Sequence, residues 1–167
     1  RATSGLLTPC TIGRQAIGMS QQGFMEIALE QARKAYVRGE VPVGSVLVGA
    51  NGSVLAAEGN RVEKHSEPTA HAEILAIRAG AEKLGTPRLE GCDLYVTLEP
   101  CPMCAQAISF ARVRRLYFGA GDLKGGGVEN GPRLYAQPTC HHRPAVYGGI
   151  DEQRTGQLLK AFFASRR

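Results

Sequence analysis

The chain has 167 residues, 43% of them hydrophobic, with 20 Lys and Arg against 15 Asp and Glu and a formal charge of +5. That length suits one domain able to bury roughly 70% of its unfolded-chain surface. The apolar content excludes a disordered chain, and no run approaches the roughly 18 apolar residues of a membrane span. The basic balance, with a pI near 9.1, is compatible with a nucleic-acid partner without requiring one.

Residues 1–18 carry no periodic pattern. Either a non-native extension precedes a start at Met19, or these residues form a flexible arm useful on RNA. Residues 19–167 read as a single domain. From Gln22 to Arg38, Phe24, Ala28, Ala32, Ala35 and Tyr36 recur at helical spacing, and Gly39 ends the helix. Val41–Gly49 is rich in β-branched residues and predicts a buried strand. The Asn51-Gly52 pair signals a hairpin that returns through "VLAAEGN". Arg61–Glu67 reads as a polar loop. The helix after Pro68 and Thr69 has Ile74, Leu75, Ile77, Ala81 and Leu84 as its predicted apolar face, and Gly85 with Pro87 stops it. Cys92–Leu98 is the next strand. Pro102, favoured in a first helical turn, opens a helix to about Ala111. Arg114–Ala120 is again a strand.

Gly121–Pro144 is a long Gly/Pro-rich stretch with a short helical piece expected near Arg133–Tyr135. Loops of this length are often functional or part of an interface. The run Gly125–Gly127 lacks a following Lys-Ser/Thr, so it reads as a flexible turn and not a phosphate cradle. "AVYGGI" is a short strand, and an amphipathic helix using Leu158, Leu159, Phe162 and Phe163 closes the chain, with one phenylalanine ring inward and one at the surface. An opening hairpin followed by alternating helices and strands predicts an α/β protein: a three-layer α/β/α sandwich on a central mixed five-stranded sheet. There is no internal repeat and no interdomain linker.

The five cysteines are Cys10, Cys92, Cys101, Cys104 and Cys140. An odd count without a secretory signal predicts a reducing, cytoplasmic setting, where a close pair binds metal or does redox work. Cys101 and Cys104 stand at the start of one helix and His71 at the start of another. Three ligands with one open position make a catalytic Zn²⁺ site; four make a structural one. His65, His141, His142 and Cys92 are the candidates for a fourth ligand, but none has comparable spacing. Glu73, two residues after His71, can meet a water at the ion and move its proton. The dithiol and the four-ligand structural zinc remain the alternatives. "CHH" at Cys140–His142 could hold a second metal, or be a loop with hydrogen-bonding roles.

His-Ala-Glu (His71–Glu73) followed by Pro-Cys-x-x-Cys (Pro100–Cys104) is the known signature of the zinc-dependent nucleobase deaminases. The resemblance extends from about Met19 to Arg167 through "GEVPVGSVLV", "GNR", "PTAHAEI", "LYVTLEPCPMC", "FGAGDLKGG" and "FFASRR". These segments resemble the bacterial tRNA adenosine deaminase branch, which converts a wobble-position adenosine of a tRNA anticodon to inosine. The resemblance implies a cytidine-deaminase-like fold, a homodimer and one Zn²⁺ per subunit on His71, Cys101 and Cys104. It implies Glu73 as the catalytic proton shuttle. It further implies that Asn60, Val41, Ala70 (through its backbone) and Asp122 contact the substrate nucleotide. Lys124, Phe163, Arg166 and Arg167 are expected to face the RNA of the anticodon stem-loop. "GGGVENGPRLY" and "HHR" depart from the family's pattern in the segment expected to face RNA or the partner subunit. The alternatives are a deaminase of a small molecule (guanine, cytosine or dCMP) and a catalytically silent zinc or RNA-binding protein. Glu73 argues against the second, since a structural site needs no proton shuttle.

Overall fold

Period-two alternation along the central strands decides which helices cover which face of the sheet. The computed structural model describes residues 19–166. The expectations about the arm at 1–18, Cys10 and Arg167 lie outside the described residues. In chain order the elements are α1 (Gln21–Val37), β1 (Gly44–Val48), β2 (Val54–Gly59), α2 (Val62–His65), α3 (Ala72–Leu84), β3 (Asp93–Leu98), α4 (Pro102–Phe110), β4 (Arg115–Ala120), a 3₁₀ turn (Leu134–Ala136), β5 (Ala145–Tyr147) and α5 (Glu152–Ala164). Leu47, Leu94, Val96, Leu116 and Phe118 point to one face and join Ala72, Ala76, Ala105 and Ile108 of α3 and α4. Val46, Val48, Tyr95 and Tyr117 point to the other and join Phe24, Met25 and Ala28 of α1. Helix α5 lies on this second side, against β4 and α1.

The strand order is β2-β1-β3-β4-β5. β1 is antiparallel to both β2 and β3, while β3, β4 and β5 run parallel. This is the mixed five-stranded sheet of an α/β/α sandwich, as the element order predicts. Tyr95, Tyr117 and Tyr147 are in register on the three parallel strands and stack at 4.5 and 4.9 Å between ring centroids. Such cross-strand aromatic pairs fix register on a face where hydroxyl groups must also be housed. Among the described residues, no helix is long and apolar enough to cross a membrane.

Four local expectations are corrected or refined. Arg61–Glu67 is not all loop, because Val62–His65 forms a turn of helix ended by Ser66 in the left-handed region. The buried face of α3 is not its bulky one: Ala72, Glu73, Ala76 and Gly80 are buried, Ile74, Leu75 and Ile77 only half-buried, and Leu84 exposed. A Cβ at Gly80 would lie 2.1 Å from Leu47 Cδ2, so small residues at four-residue spacing let the helix approach the sheet closely. On α5, Thr155 and Phe162 are buried, while Leu158 and Leu159 are half-buried and Phe163 is at the surface. Gly126 and Gly127, expected in a flexible turn, are buried against the chain just before α4.

Candidate active site

Two helix starts converge beside the carboxyl end of β3, where open α/β sheets receive ligands. His71 is the N-cap of α3 and Cys101 the N-cap of α4, both with extended backbone and neither side chain capping its own helix. Their side chains are therefore free to meet. Pro102 starts α4 without wasting a donor, and Cys104 follows on the same turn. His71 Nδ1 lies 3.7 Å from Cys101 Sγ and 3.5 Å from Cys104 Sγ. All three donor atoms fall within 4.8 Å of one another, and among the described residues no other His, Cys, Asp or Glu joins this group.

The spacing can be tested against an ion. Tetrahedral zinc with bonds of about 2.05 Å to nitrogen and 2.3 Å to sulfur would separate N from S by about 3.6 Å. The observed distances match, so these residues fit zinc and leave one corner for a ligand that is not protein. The positive ends of both helices also favour thiolate at this point. Cys104, hydrogen-bonding to Cys101, holds the Cys101 thiol down to about 4, with His71 assisting. Cys104 is pushed up in return, first by that same bond and then by burial. His71 is raised, mainly by its bond to Cys101.

Glu73 is 4% exposed, and burial raises its carboxyl from an ordinary 4.5 to about 7. Its own backbone N–H and the nearby His71 offset the burial only in part. A carboxyl balanced near neutral pH both accepts and returns a proton readily.

His71, Glu73 and Cys101 form the floor of a cavity of about 330 Å³, lined also by Val41, Asn60, Leu98, Asp122, Gly125 and Arg166, and Cys104 is fully buried. Val41 sits partly exposed at its edge. Asn60 is buried and donates its amide to Glu40, 3.2 Å away. A carboxylate accepts only, so this bond fixes which way the amide faces. Ala70 is buried outside the lining residues. Its N–H donates to the Glu67 carbonyl and its carbonyl accepts from the Arg61 N–H. Asp122 lines the cavity, but its Oδ1 already accepts the N–H groups of Lys124 and Gly125, leaving Oδ2 free. Lys124 is exposed on that turn.

A second, more open groove of about 660 Å³ shares Leu98 and Asp122 with the first and is walled by Phe163 and Lys160 of α5. Phe163 is 52% exposed. Arg166 is not a frayed end: its guanidinium lies 4.2 Å from the Phe162 ring centroid and donates to the Gly39 carbonyl. His142 Nε2 donates to the Val113 carbonyl at 2.7 Å, and Cys140 and Ser109 both donate to the His142 carbonyl. "CHH" is thus a hydrogen-bonded loop.

Two buried carboxylates escape the sequence reading. Glu40 is 1% exposed and accepts from Asn60 and from the N–H groups of Glu63 and Lys64. Glu99 is 2% exposed and accepts four backbone N–H groups and the Asn130 amide. The available signal was a lone carboxylate set beside an apolar strand in "GEVPVG" and "VTLEPC", since a charge there must find partners. Burial pushes Glu99 up, but its donors outweigh burial and hold it below the usual range.

Residues 19–120 match the cytidine and deoxycytidylate deaminase zinc-binding region. A tRNA-specific adenosine deaminase of Agrobacterium fabrum is 58% identical over 144 residues, 86% of this chain and 94% of that protein. A solved structure from a study of A-to-I editing by tRNA:A34 deaminases superposes with a TM-score of 0.80 at 59% identity, covering 81% of this chain and 98% of that one. The guanine deaminase of Nitrosomonas europaea superposes with a TM-score of 0.75 at 25% identity, covering 87% of this chain and 85% of that one. With the donor set, the buried carboxylate and these similarities together, the chain belongs to the cytidine and deoxycytidylate deaminase family, in its tRNA-specific adenosine deaminase branch.

Proposed function

We propose that the protein hydrolyses adenosine to inosine and ammonia at the wobble position of a tRNA anticodon. The observation that carries this reading is the buried Glu73 at the floor of one cavity with His71 and Cys101, which cluster with Cys104 as a donor set. Zinc, when bound there, supplies the Lewis acidity that makes water a nucleophile near neutral pH. Glu73 takes a proton from the water attacking C6 and delivers it to the ring nitrogen; it then carries the proton of the new C6 hydroxyl to the amine, which leaves as ammonia. Asn60, held by Glu40, hydrogen-bonds the substrate, Val41 packs on the base, and Ala70 and the free Oδ2 of Asp122 border the nucleotide. The target base must leave its stack, which costs less in an anticodon loop than in a duplex.

Lys124, Phe163, Arg166 and Arg167 carry the RNA: Phe163 is an exposed ring for stacking in the groove adjoining the cavity, and the cations meet phosphates. We read the assembly as a homodimer with one zinc per subunit, working in the cytoplasm. Half-buried Ile74, Leu75 and Ile77 of α3, and Phe110 of α4 at 71% exposure, support a partner on the α3–α4 side.

The test is incubation of the purified protein with an anticodon stem-loop bearing a wobble adenosine and, separately, with free guanine, cytosine and dCMP. Ammonia release from the stem-loop alone is expected. Release from guanine with none from the stem-loop would replace this reading with a free-base deaminase.

A further inference from the structure

Glu99 borders the cavity, yet it has nothing left to give a substrate. Its Oε1 accepts the N–H groups of Val128, Glu129 and Asn130 at 3.1, 2.8 and 2.9 Å. Its Oε2 accepts the Asp122 N–H at 2.9 Å and the Asn130 amide at 2.6 Å. A carboxylate has about four lone-pair sites, so these donors saturate it. A second proton carrier in the cavity is thereby excluded, and a different role follows from which chain is being held.

The donors span residues 122–130, which have no helix or strand of their own. Gly126 N–H bonds the Asp122 carbonyl, and Gly127 N–H bonds the Pro100 carbonyl at 2.9 Å. A Cβ at Gly126 would lie 2.6 Å from Glu99 Cδ, and one at Gly127 2.6 Å from Pro102 N. The loop is therefore seated directly on Glu99 and on the Pro100–Pro102 segment that carries Cys101. Its first turn, Asp122 and Gly125, is a wall of the cavity, and Asp122 also reaches the adjoining groove.

We propose that Glu99 is a positioning residue: one carboxylate, wrapped by the 122–130 loop, sets the substrate-facing wall without touching the substrate. The claim rests on the deamination reading for its kinetic consequence only. The loop's order depends on Glu99 whether or not that reading holds.

Glu99→Gln is nearly isosteric but turns one acceptor into a donor facing other donors. Amide hydrogen exchange at 128–130 is expected to quicken by about tenfold or more, since unpaired buried donors are costly. On the stem-loop, KM should rise by a similar factor while kcat stays within about threefold, the signature of lost binding shared by ground and transition states. Zinc content should be unchanged. Adding Asn130→Asp gives the new amide an acceptor and should recover part of both losses. Unchanged exchange at 128–130, or a fall in kcat with KM unmoved, overturns the proposal. Should Glu99→Gln fail to fold, Asn130→Ala removes one donor and must move exchange and KM in the same direction by less; no movement there also overturns it. Exchange is read without substrate, so a wild-type protein inactive on RNA would defeat the deamination reading and leave this one testable.

Discussion

Glu73 and Glu99 are both carboxylates in the same interior, at 4% and 2% exposure, and their surroundings push them in opposite directions. Burial withdraws water from each. At the start of α3, little replaces it, and Glu73 rises to about 7. After β3, a loop turns its N–H groups inward, and Glu99 is held as an anion. Donors, not depth, separate a group that moves protons from one that holds chain in place.

The largest effect should separate the two directly. Glu73→Gln keeps the metal donors and should lower kcat by about 10²–10⁴ or more, measured as single-turnover deamination with zinc content checked alongside. Retained turnover would remove the proton-carrying half of the comparison. Next, Cys101→Ala or Cys104→Ala should lose both zinc and thermal stability, because metal binding energy is folding energy where the ligands come from two helices. A metal-free variant melting like wild type would contradict this.

Titration of the metal-free protein sharpens the contrast. The folded Glu73 carboxyl, near 7, lies above its ordinary 4.5, so the folded state binds the proton more tightly than the unfolded one. Its contribution is fully present below about 4.5 and is lost as pH rises through about 7. Glu99 has the opposite sign: its contribution is present above the ordinary 4.5 and is lost as pH falls through its lowered value. Urea melts across pH should show the high-pH loss vanish in Glu73→Gln while the acid-side loss remains.

The smallest effect lies outside both carboxylates. Arg166→Ala should weaken stem-loop binding and reduce the salt slope by about one, with zinc and kcat intact. A truncation after Ala161 would be a poor substitute, because it also removes Phe162, which is buried and packs edge-on to Tyr36 at 5.6 Å.

The cysteine pair was legible because its geometry is local, whereas His71, 30 and 33 residues before the two cysteines, was legible only through its own short motif. Cys101 and Cys104 share one helical turn, and Pro102 announces its start. The five-stranded mixed sheet was legible because alternation and turn residues act over a few positions. On α3, periodicity found the helix but chose the wrong face, since hydropathy alone does not register that close packing against Leu47 demands Ala76 and Gly80. Glu40 reaches donors 20 to 24 residues away, Glu99 donors 23 to 31 away, and Arg166 a carbonyl 127 away. By itself, the sequence determined which residues could hold an ion and where the five strands and the four longer helices would lie, because those follow from spacing along the chain. Only the tertiary structure decided which carboxylate stays free to titrate and which is locked, because a buried charge takes its character from donors that folding brings from elsewhere.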